Sequence, residues 1–350
     1  MTTTSLSKLI GIAHPVFQAP MAGVSTPALA AAVTNAGGLG ALGIGAATPD
    51  AARQMIAGFR ALSDGPLHAN LFCHAEPVRD EALEADWIRN AEPKFEAMGA
   101  EPPASLNNIY HSFIGNEAMT GMLMEMQPEV ISFHFGLPDA NQIAALKATG
   151  AVLMASATNV EEAKAIEAAG LDAVIAQGWE AGGHRGMFDP DAADDRLAMA
   201  ELVQAITQAI ALPVVAAGGI MDGVDIRAVL DAGAQAAQLG TAFVGCPESS
   251  ADNAYRERLA MGGETVMTRA ISGRPARCLT NGFTQWTSDV PPSQVPAYPV
   301  PYDLGKALNA AAKSAGDGGY GAQWSGTGAS RARILPVGEL MALLISEMNA

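Results

Sequence analysis

Eight short apolar runs recur along the chain, and each ends at or near a glycine, proline or asparagine. None of them alternates cleanly between polar and apolar positions, which is typical of parallel strands that are buried on both faces. The pattern therefore predicts eight buried strands. They are Val16–Met21, Leu39–Ile44, Leu67–Phe72, Val130–Phe135, Ala151–Ser156, Asp172–Gly178, Pro213–Gly219 and Ala236–Thr241.

Alanine-rich segments with helical spacing lie between these runs, and several of them stop at a glycine, as helix C-termini often do. The predicted helices are Pro27–Asn35, Pro49–Leu62, Asp139–Ala148, Val160–Ala169, Ala198–Ala209 and Gly223–Ala232. Alternating strands and helices predict an α/β fold. A (β/α)8 TIM barrel is favoured over a doubly wound sheet, because polar and glycine residues end strands all along the chain and a barrel gathers such positions at one mouth.

Two longer segments interrupt this alternation. Residues 75–128 separate the third and fourth runs and are polar and rich in glutamate, and residues 246–350 follow the eighth run. The predicted organisation is a barrel formed by residues 1–74 and 129–245. A helical insertion, 75–128, would lie over its mouth, and a helical C-terminal extension, 246–350, would cover the active site.

Composition and charge narrow the class of protein. Hydrophobic residues make up 49% of the 350 positions and charged residues 16%, so a sizeable core is expected. The net charge of -16 argues against nucleic acid or an anionic membrane as a partner. Residues 1–10 lack the apolar core of a signal peptide, and no run reaches the roughly 18 apolar residues of a membrane span. We expect a cytoplasmic protein; a homodimer stays open.

Metal binding is not expected. The three cysteines, Cys73, Cys246 and Cys278, show no metal-ligand spacing. The acidic run from Asp189 to Asp195 lacks the glycine and the closing glutamate of a calcium loop, which favours a solvated loop.

The segment Ala176–Gly186, AQGWEAGGHRG, places one histidine in a loop of glycines. Backbone N–H groups in such a loop can approach a flat or phosphorylated ligand, because no Cβ stands in the way. Gly218–Gly219 and Gly240–Thr241 follow the seventh and eighth runs, where TIM barrels often bind phosphate. Asn70 and Gln177 are strand-end amides suited to the edge of a heterocycle such as flavin. Glycines that only allow helix packing, and a surface histidine, are the alternatives.

Seven stretches between residues 18 and 326 carry a resemblance to a known family: Gln18–Pro27, Asn70–Phe72, Ile131–Gly136, Ala176–Gly186, Ala216–Gly223, Gln238–Ala242 and Trp324–Gly326. In these the chain resembles the nitronate monooxygenases, formerly called 2-nitropropane dioxygenases, and in particular their class I bacterial branch. The resemblance implies a barrel that binds FMN non-covalently. It also implies oxidation of an alkyl nitronate, with propionate 3-nitronate expected, by O2 to a carbonyl compound and nitrite, through a flavin semiquinone.

Site residues follow from the resemblance, position by position. His184 would be catalytic, and the substrate pocket would contain Tyr110, His134, Tyr298, Tyr302 and Lys306. FMN would contact Met21, Ala22, Asn70, Ser156, Gln177, Gly182, Gly183, Gly218, Gly219, Gln238, Gly240, Thr241 and Trp324. His134, His184 and Lys306 would supply a positive pocket for an anionic nitronate inside an acidic protein. His184 could take a proton from a neutral nitroalkane or, when protonated, hold the anion.

Other functions stay open. An FMN-dependent NAD(P)H oxidoreductase of the enoyl-acyl-carrier-protein reductase or quinone reductase type is similar around the Gly-Gly-His segment. His184-Arg185-Gly186 and Trp324-Ser325-Gly326 favour the monooxygenase. A barrel that only binds FMN, without catalysis, is the alternative from another class.

Overall fold

The computed structural model describes residues 3–350, and a barrel of parallel strands lies at its centre. The described strands are β1 Val16–Gln18, β2 Gly40–Gly43, β3 Leu67–Phe72, β4 Val130–His134, β5 Val152–Ala157, β6 Ala173–Gln177, β7 Gly183–His184, β8 Val214–Ala217, β9 Ala236–Leu239, β10 Thr265–Thr268 and β11 Ala276–Leu279.

Eight of these strands form one parallel sheet in the order β1-β9-β8-β6-β5-β4-β3-β2. The two ends of the sheet meet where Phe17 pairs with Leu39, and the Gln18 N–H donates to the Leu39 carbonyl at 2.9 Å. Pairing between the first and last strands of the order closes the sheet. The predicted TIM barrel is confirmed.

Helices surround the barrel and fill its two long connections. They are α1 Ser5–Ile10, α2 Pro27–Asn35, α3 Pro49–Arg60, α4 Glu81–Ala97, α5 Glu117–Met126, α6 Ala140–Lys147, α7 Val160–Ala168, α8 Met199–Ala209, α9 Gly223–Asp231, α10 Thr241–Val244, α11 Asn253–Ala260, α12 Gly282–Trp286, α13 Val300–Ser314 and α14 Val337–Met348. Helices α2, α3, α6, α7 and α9 each begin after a side chain that accepts a hydrogen bond from the first turn, at Thr26, Thr48, Asp139, Asn159 and Asp222. These caps satisfy helix amides and explain where the helices begin.

The barrel is closed at the amino ends of its strands by α1, which the sequence pattern did not predict. Leu6 and Ile10 of this helix pack with Phe17 and Met154 in the barrel interior. The Thr4 hydroxyl ties the helix to the barrel by donating to the Gln235 carbonyl at 2.7 Å. Because α1 fills this end, the barrel is open at the carboxyl ends of its strands.

The segment 75–128 contains two helices with different neighbours. Helix α4 packs on α13 through a cluster that includes Trp87, Phe283 and Leu304. Helix α5 instead packs against α3 and α6 in the ring around the barrel. The loop between α4 and α5 is tied to α13, because the backbone and side-chain amides of Asn107 both donate to Asp303 Oδ2 at 2.9 Å.

The C-terminal extension contains a β-hairpin in addition to its predicted helices. Strands β10 and β11 are antiparallel, and β11 also pairs with β7, so that Ala276 lies opposite His184. This small sheet brings the extension onto the glycine loop that contains the histidine.

Candidate active site

A cavity of about 520 Å³ opens at the carboxyl ends of the barrel strands, beneath the extension. Every position that the sequence assigned to catalysis, cofactor or substrate lies on its wall. These are Met21, Ala22, Asn70, Tyr110, His134, Ser156, Gln177, Gly182, Gly183, His184, Gly218, Gly219, Gln238, Gly240, Thr241, Tyr298, Tyr302, Lys306 and Trp324. The barrel has thus brought together residues more than 300 positions apart in the chain.

His184 lies in the short strand β7, with its ring among aromatic side chains. Its ring centroid lies 5.0 Å from that of Trp324, 5.5 Å from Tyr298 and 5.6 Å from Phe135. Its Nε2 makes a hydrogen bond of 2.9 Å with Ser272 Oγ. Desolvation inside the cavity is the largest cause that lowers the pKa of His184 to about 3, and the neighbouring His134 and Arg274 lower it further. The imidazole is therefore neutral near pH 7.

Both ring nitrogens of His134 are engaged by the protein. Nδ1 lies 2.8 Å from Ser156 Oγ, and Nε2 lies 3.1 Å from the main-chain carbonyl oxygen of His184. A carbonyl can only accept, so Nε2 carries the proton and Nδ1 accepts from the serine hydroxyl. Desolvation lowers the pKa of His134 to about 4, which keeps this arrangement uncharged.

The amide of Gln177 is also occupied by the histidine loop. Its Nε2 donates to the His184 carbonyl at 2.9 Å, and its Oε1 accepts from the Gly186 N–H at 2.7 Å. Asn70 donates to Ser132 Oγ at 2.8 Å. Within residues 3–350, Gln238 Oε1 is buried with no hydrogen-bond partner. The buried side-chain oxygen of Gln238 is therefore free to accept a hydrogen bond from a ligand.

The glycine turns after β8 and β9 form part of the cavity wall, called the cradle end. Gly218 has φ 122° and Gly219 has φ 73°, in the region that favours glycine. Gly240 is the N-cap of α10, which has no side-chain cap. Thr241 Oγ1 accepts from the Gly326 N–H at 2.9 Å, which leaves the hydroxyl hydrogen for a ligand. Uncapped amides and a hydroxyl donor suit an anion such as phosphate.

The same cavity wall contains a lysine beside two tyrosine rings, and this part of the wall is called the lysine end. Lys306 Nζ is 4.7 Å from the centre of the Tyr110 ring and 5.6 Å from that of Tyr302. Lys306 makes no ion pair with any residue of the described chain. Burial raises the pKa of Tyr110 to about 12, so its hydroxyl stays protonated. This end therefore offers one unpaired cation and neutral hydroxyl groups.

Several residues near the cavity carry no signal in the sequence. Ser272 and Arg274 lie in the turn before β11, in no recognisable motif, and reach the site only because β11 pairs with β7. Arg274 is buried, donates to the Met187 carbonyl at 2.7 Å and lies 4.2 Å from the centre of the Phe135 ring. Phe135 itself has φ 78°, an uncommon value for a bulky residue. Tyr255 also lines the cavity, and its hydroxyl donates to the Trp324 carbonyl.

Residues 3–350 contain neither a candidate metal site nor a candidate membrane-spanning helix. No group of three or more His, Cys, Asp or Glu side chains is arranged to hold a metal ion there. Nor does that part of the chain contain a helix with the length and apolar character to cross a bilayer.

Known proteins match nearly the whole length of the chain. The sequence model of the nitronate monooxygenase family matches residues 3–347. The chain is 55% identical to a nitronate monooxygenase of Paraburkholderia phytofirmans, over 99% of this chain and 95% of that protein. It is 49% identical to one of Pseudomonas aeruginosa, over 99% of both. A solved nitroalkane oxidase from Streptomyces ansochromogenes is 40% identical, with a TM-score of 0.88 over 98% of this chain and 97% of that one.

These matches extend over both barrel segments, the insertion and the extension, so they include every wall of the cavity. The family is one of oxidoreductases that use a flavin. The chain belongs to the nitronate monooxygenase family.

Proposed function

We propose that this chain oxidises alkyl nitronates with O2, giving a carbonyl compound and nitrite, with non-covalently bound FMN. The observation that carries the proposal is one cavity whose wall contains glycine turns suited to an anion, an unpaired lysine, and a neutral histidine among aromatic rings. Membership of a flavin-using family supports the cofactor class.

FMN fits the residues at the cradle end. Gly218, Gly219, Gly240 and Thr241 offer one site for a single phosphate. The unpartnered acceptor of Gln238 can take a hydrogen bond from an N–H of the flavin ring. We propose the following FMN contacts: Met21, Ala22, Asn70, Ser156, Gln177, Gly182, Gly183, Gly218, Gly219, Gln238, Gly240, Thr241 and Trp324. When bound, FMN supplies the oxidation of the nitronate one electron at a time.

His184 acts on the substrate as a neutral imidazole. Because the ring is neutral near pH 7, one of its nitrogens is unprotonated and can accept the proton that leaves the carbon next to the nitro group of a neutral nitroalkane. With a nitronate, which has already lost that proton, the ring only orients the anion. The two substrates therefore differ in what they require of His184.

The lysine end selects the tail of the substrate. Lys306 would pair with a second negative charge, and the hydroxyls of Tyr110, Tyr298 and Tyr302 would donate hydrogen bonds around it. Tyr298 has a buried hydroxyl with no partner within residues 3–350, so it is ready to donate. His134 would meet the substrate through its ring carbons, since both nitrogens are engaged. These features favour propionate 3-nitronate, a dianion.

Oxygen uptake and nitrite release with propionate 3-nitronate test the proposed reaction. We expect both with the purified protein, and FMN in the supernatant after heat denaturation. A yellow protein that yields no nitrite from any nitronate would instead be a non-catalytic flavin binder. FAD in the supernatant would refute the single-phosphate cradle.

A further inference from the structure

We propose that Ser272 is a positioning residue that fixes His184 as the tautomer with its proton on Nε2, so that Nδ1 is the nitrogen that acts on the substrate. This inference rests on the proposed function, in which His184 takes a proton from a neutral nitroalkane. Neutral imidazole can carry its proton on either nitrogen, and only the unprotonated nitrogen is a base. A partner that fixes the tautomer therefore decides which atom reacts.

The hydrogen bonds of Ser272 support this assignment. Its Oγ lies 2.9 Å from His184 Nε2 and also donates to the Arg274 carbonyl oxygen at 3.4 Å. That carbonyl can only accept, so it draws the hydroxyl hydrogen away from the histidine. The oxygen lone pair is then left to accept from an Nε2–H. Ser272 is fully buried, so water does not compete for the contact.

The main chain of His184 is held as firmly as its ring. Its carbonyl accepts from Gln177 Nε2 at 2.9 Å and from His134 Nε2 at 3.1 Å. Ser156 Oγ is hydrogen-bonded to His134 Nδ1, and β11 pairs with β7, the strand that contains His184. Within residues 3–350, His184 Nδ1 has no hydrogen-bond partner. Of the two nitrogens of the His184 ring, Nε2 is therefore hydrogen-bonded by the protein, and Nδ1, the one proposed to react, is not.

The proton step balances with this tautomer. The C–H bond next to the nitro group breaks, its electron pair forms the C=N bond of the nitronate while the N=O π pair moves onto oxygen, and the proton passes to Nδ1. The positive charge that forms on the imidazole strengthens the Nε2–H bond to Ser272, because a hydrogen bond from a charged donor is stronger than one from a neutral donor. No proton moves when the substrate is already a nitronate.

Nitrogen-15 NMR of histidine-labelled protein, with its flavin bound, tests the tautomer directly. His184→Asn identifies the signals of His184 among the six histidines. We expect a protonated Nε2 and an unprotonated Nδ1 in the wild type, averaged signals in Ser272→Ala, and the wild-type pattern again in Ser272→Thr. A proton on Nδ1 in the wild type, or an unchanged pattern in Ser272→Ala, would overturn the inference.

Kinetics with two substrates separate positioning from a merely structural role. For Ser272→Ala we expect kcat/KM to fall about tenfold or more with neutral nitroethane and much less with ethylnitronate, with recovery in Ser272→Thr. An equal fall with both would indicate structural damage and count against the inference. If the wild type oxidises no nitronate but shows the expected tautomer, the proposed function fails while the assignment of the proton stands.

Discussion

Replacing Lys306 by methionine should selectively weaken the reaction with a dianionic nitronate. Met keeps the length and apolar stem of lysine but removes the ammonium between the Tyr110 and Tyr302 rings. No residue of the described chain forms an ion pair with Lys306, so its removal leaves no carboxylate unpaired in the protein. The contacts of the ammonium with the two rings are lost whichever substrate is bound, so a difference between substrates reports the interaction with the substrate tail.

The size of the effect follows from a single charged hydrogen bond. Such a bond contributes about 1.5–3 kcal/mol when shielded from water, a factor of roughly 10 to 150 in kcat/KM. Lys306 lies at the mouth and remains partly exposed without a ligand, so solvent screening places the expected loss at the lower end, about tenfold. An alkyl tail carries no charge for the ammonium to bind, and its rate should change by less than about twofold.

Steady-state oxygen uptake with propionate 3-nitronate and with ethylnitronate measures this selectivity. Lys313→Met is the matched control, because Lys313 lies on the same helix, α13, but pairs with Asp252 at 2.6 Å and does not line the cavity. The control should leave both rates near the wild-type values. An equal loss for both substrates in Lys306→Met would show that this lysine does not bind the carboxylate.

Three further outcomes follow from the same geometry. His184→Asn should retain its flavin yet lose about 10²–10⁴-fold in kcat/KM with a neutral nitroalkane, and much less with the nitronate; wild-type rates on both would remove His184 from the reaction. Gly240→Val should fold but purify without flavin, because a Cβ there contacts only Ala19 and Met21 atoms, at 3.5 Å and 3.9 Å, and otherwise enters the cavity. Flavin absorbance measures this, with Gly338→Val as the control because a Cβ at Gly338 contacts nothing. Full retention of flavin by Gly240→Val would show that the phosphate binds elsewhere. Acidification from pH 7 to 5 should lower the melting temperature, because His68 and His184, with pKa values of about 3, stay neutral in the folded protein while the same histidines of the unfolded chain take up protons below about pH 6.5. The decrease in melting temperature should be smaller in His184→Asn. An equal decrease would contradict a buried, neutral His184.

The barrel could be predicted from the sequence because its strands are buried on both faces and so appear as uninterrupted apolar runs. The glycine turns were also predictable, since a strand end in this fold is a position at the mouth. Helix α1 was missed, because six residues give too little periodicity to recognise. Strand β7 was missed for a similar reason: it has two residues and exists only through its pairing with β11.

The hydrogen bonds around His184 could not be predicted from the sequence. Ser272 is 88 positions from His184, and no local pattern connects them. The sequence predicted Gln177 at a strand end and His134 in the pocket. It did not show that both side chains donate to the His184 carbonyl. Their partners are set by tertiary packing, so their hydrogen bonds became visible only in the folded structure.

The most direct test of the central claim is the absorbance of the bound flavin after anaerobic mixing with propionate 3-nitronate and, separately, with NADH. If the cavity is built to oxidise nitronates, the nitronate should bleach the flavin at a rate that supports turnover, and NADH should bleach it far more slowly. Rapid bleaching by NADH, with none by the nitronate, would contradict the account. It would identify the chain as an FMN-dependent NAD(P)H oxidoreductase of the enoyl-acyl-carrier-protein reductase or quinone reductase type.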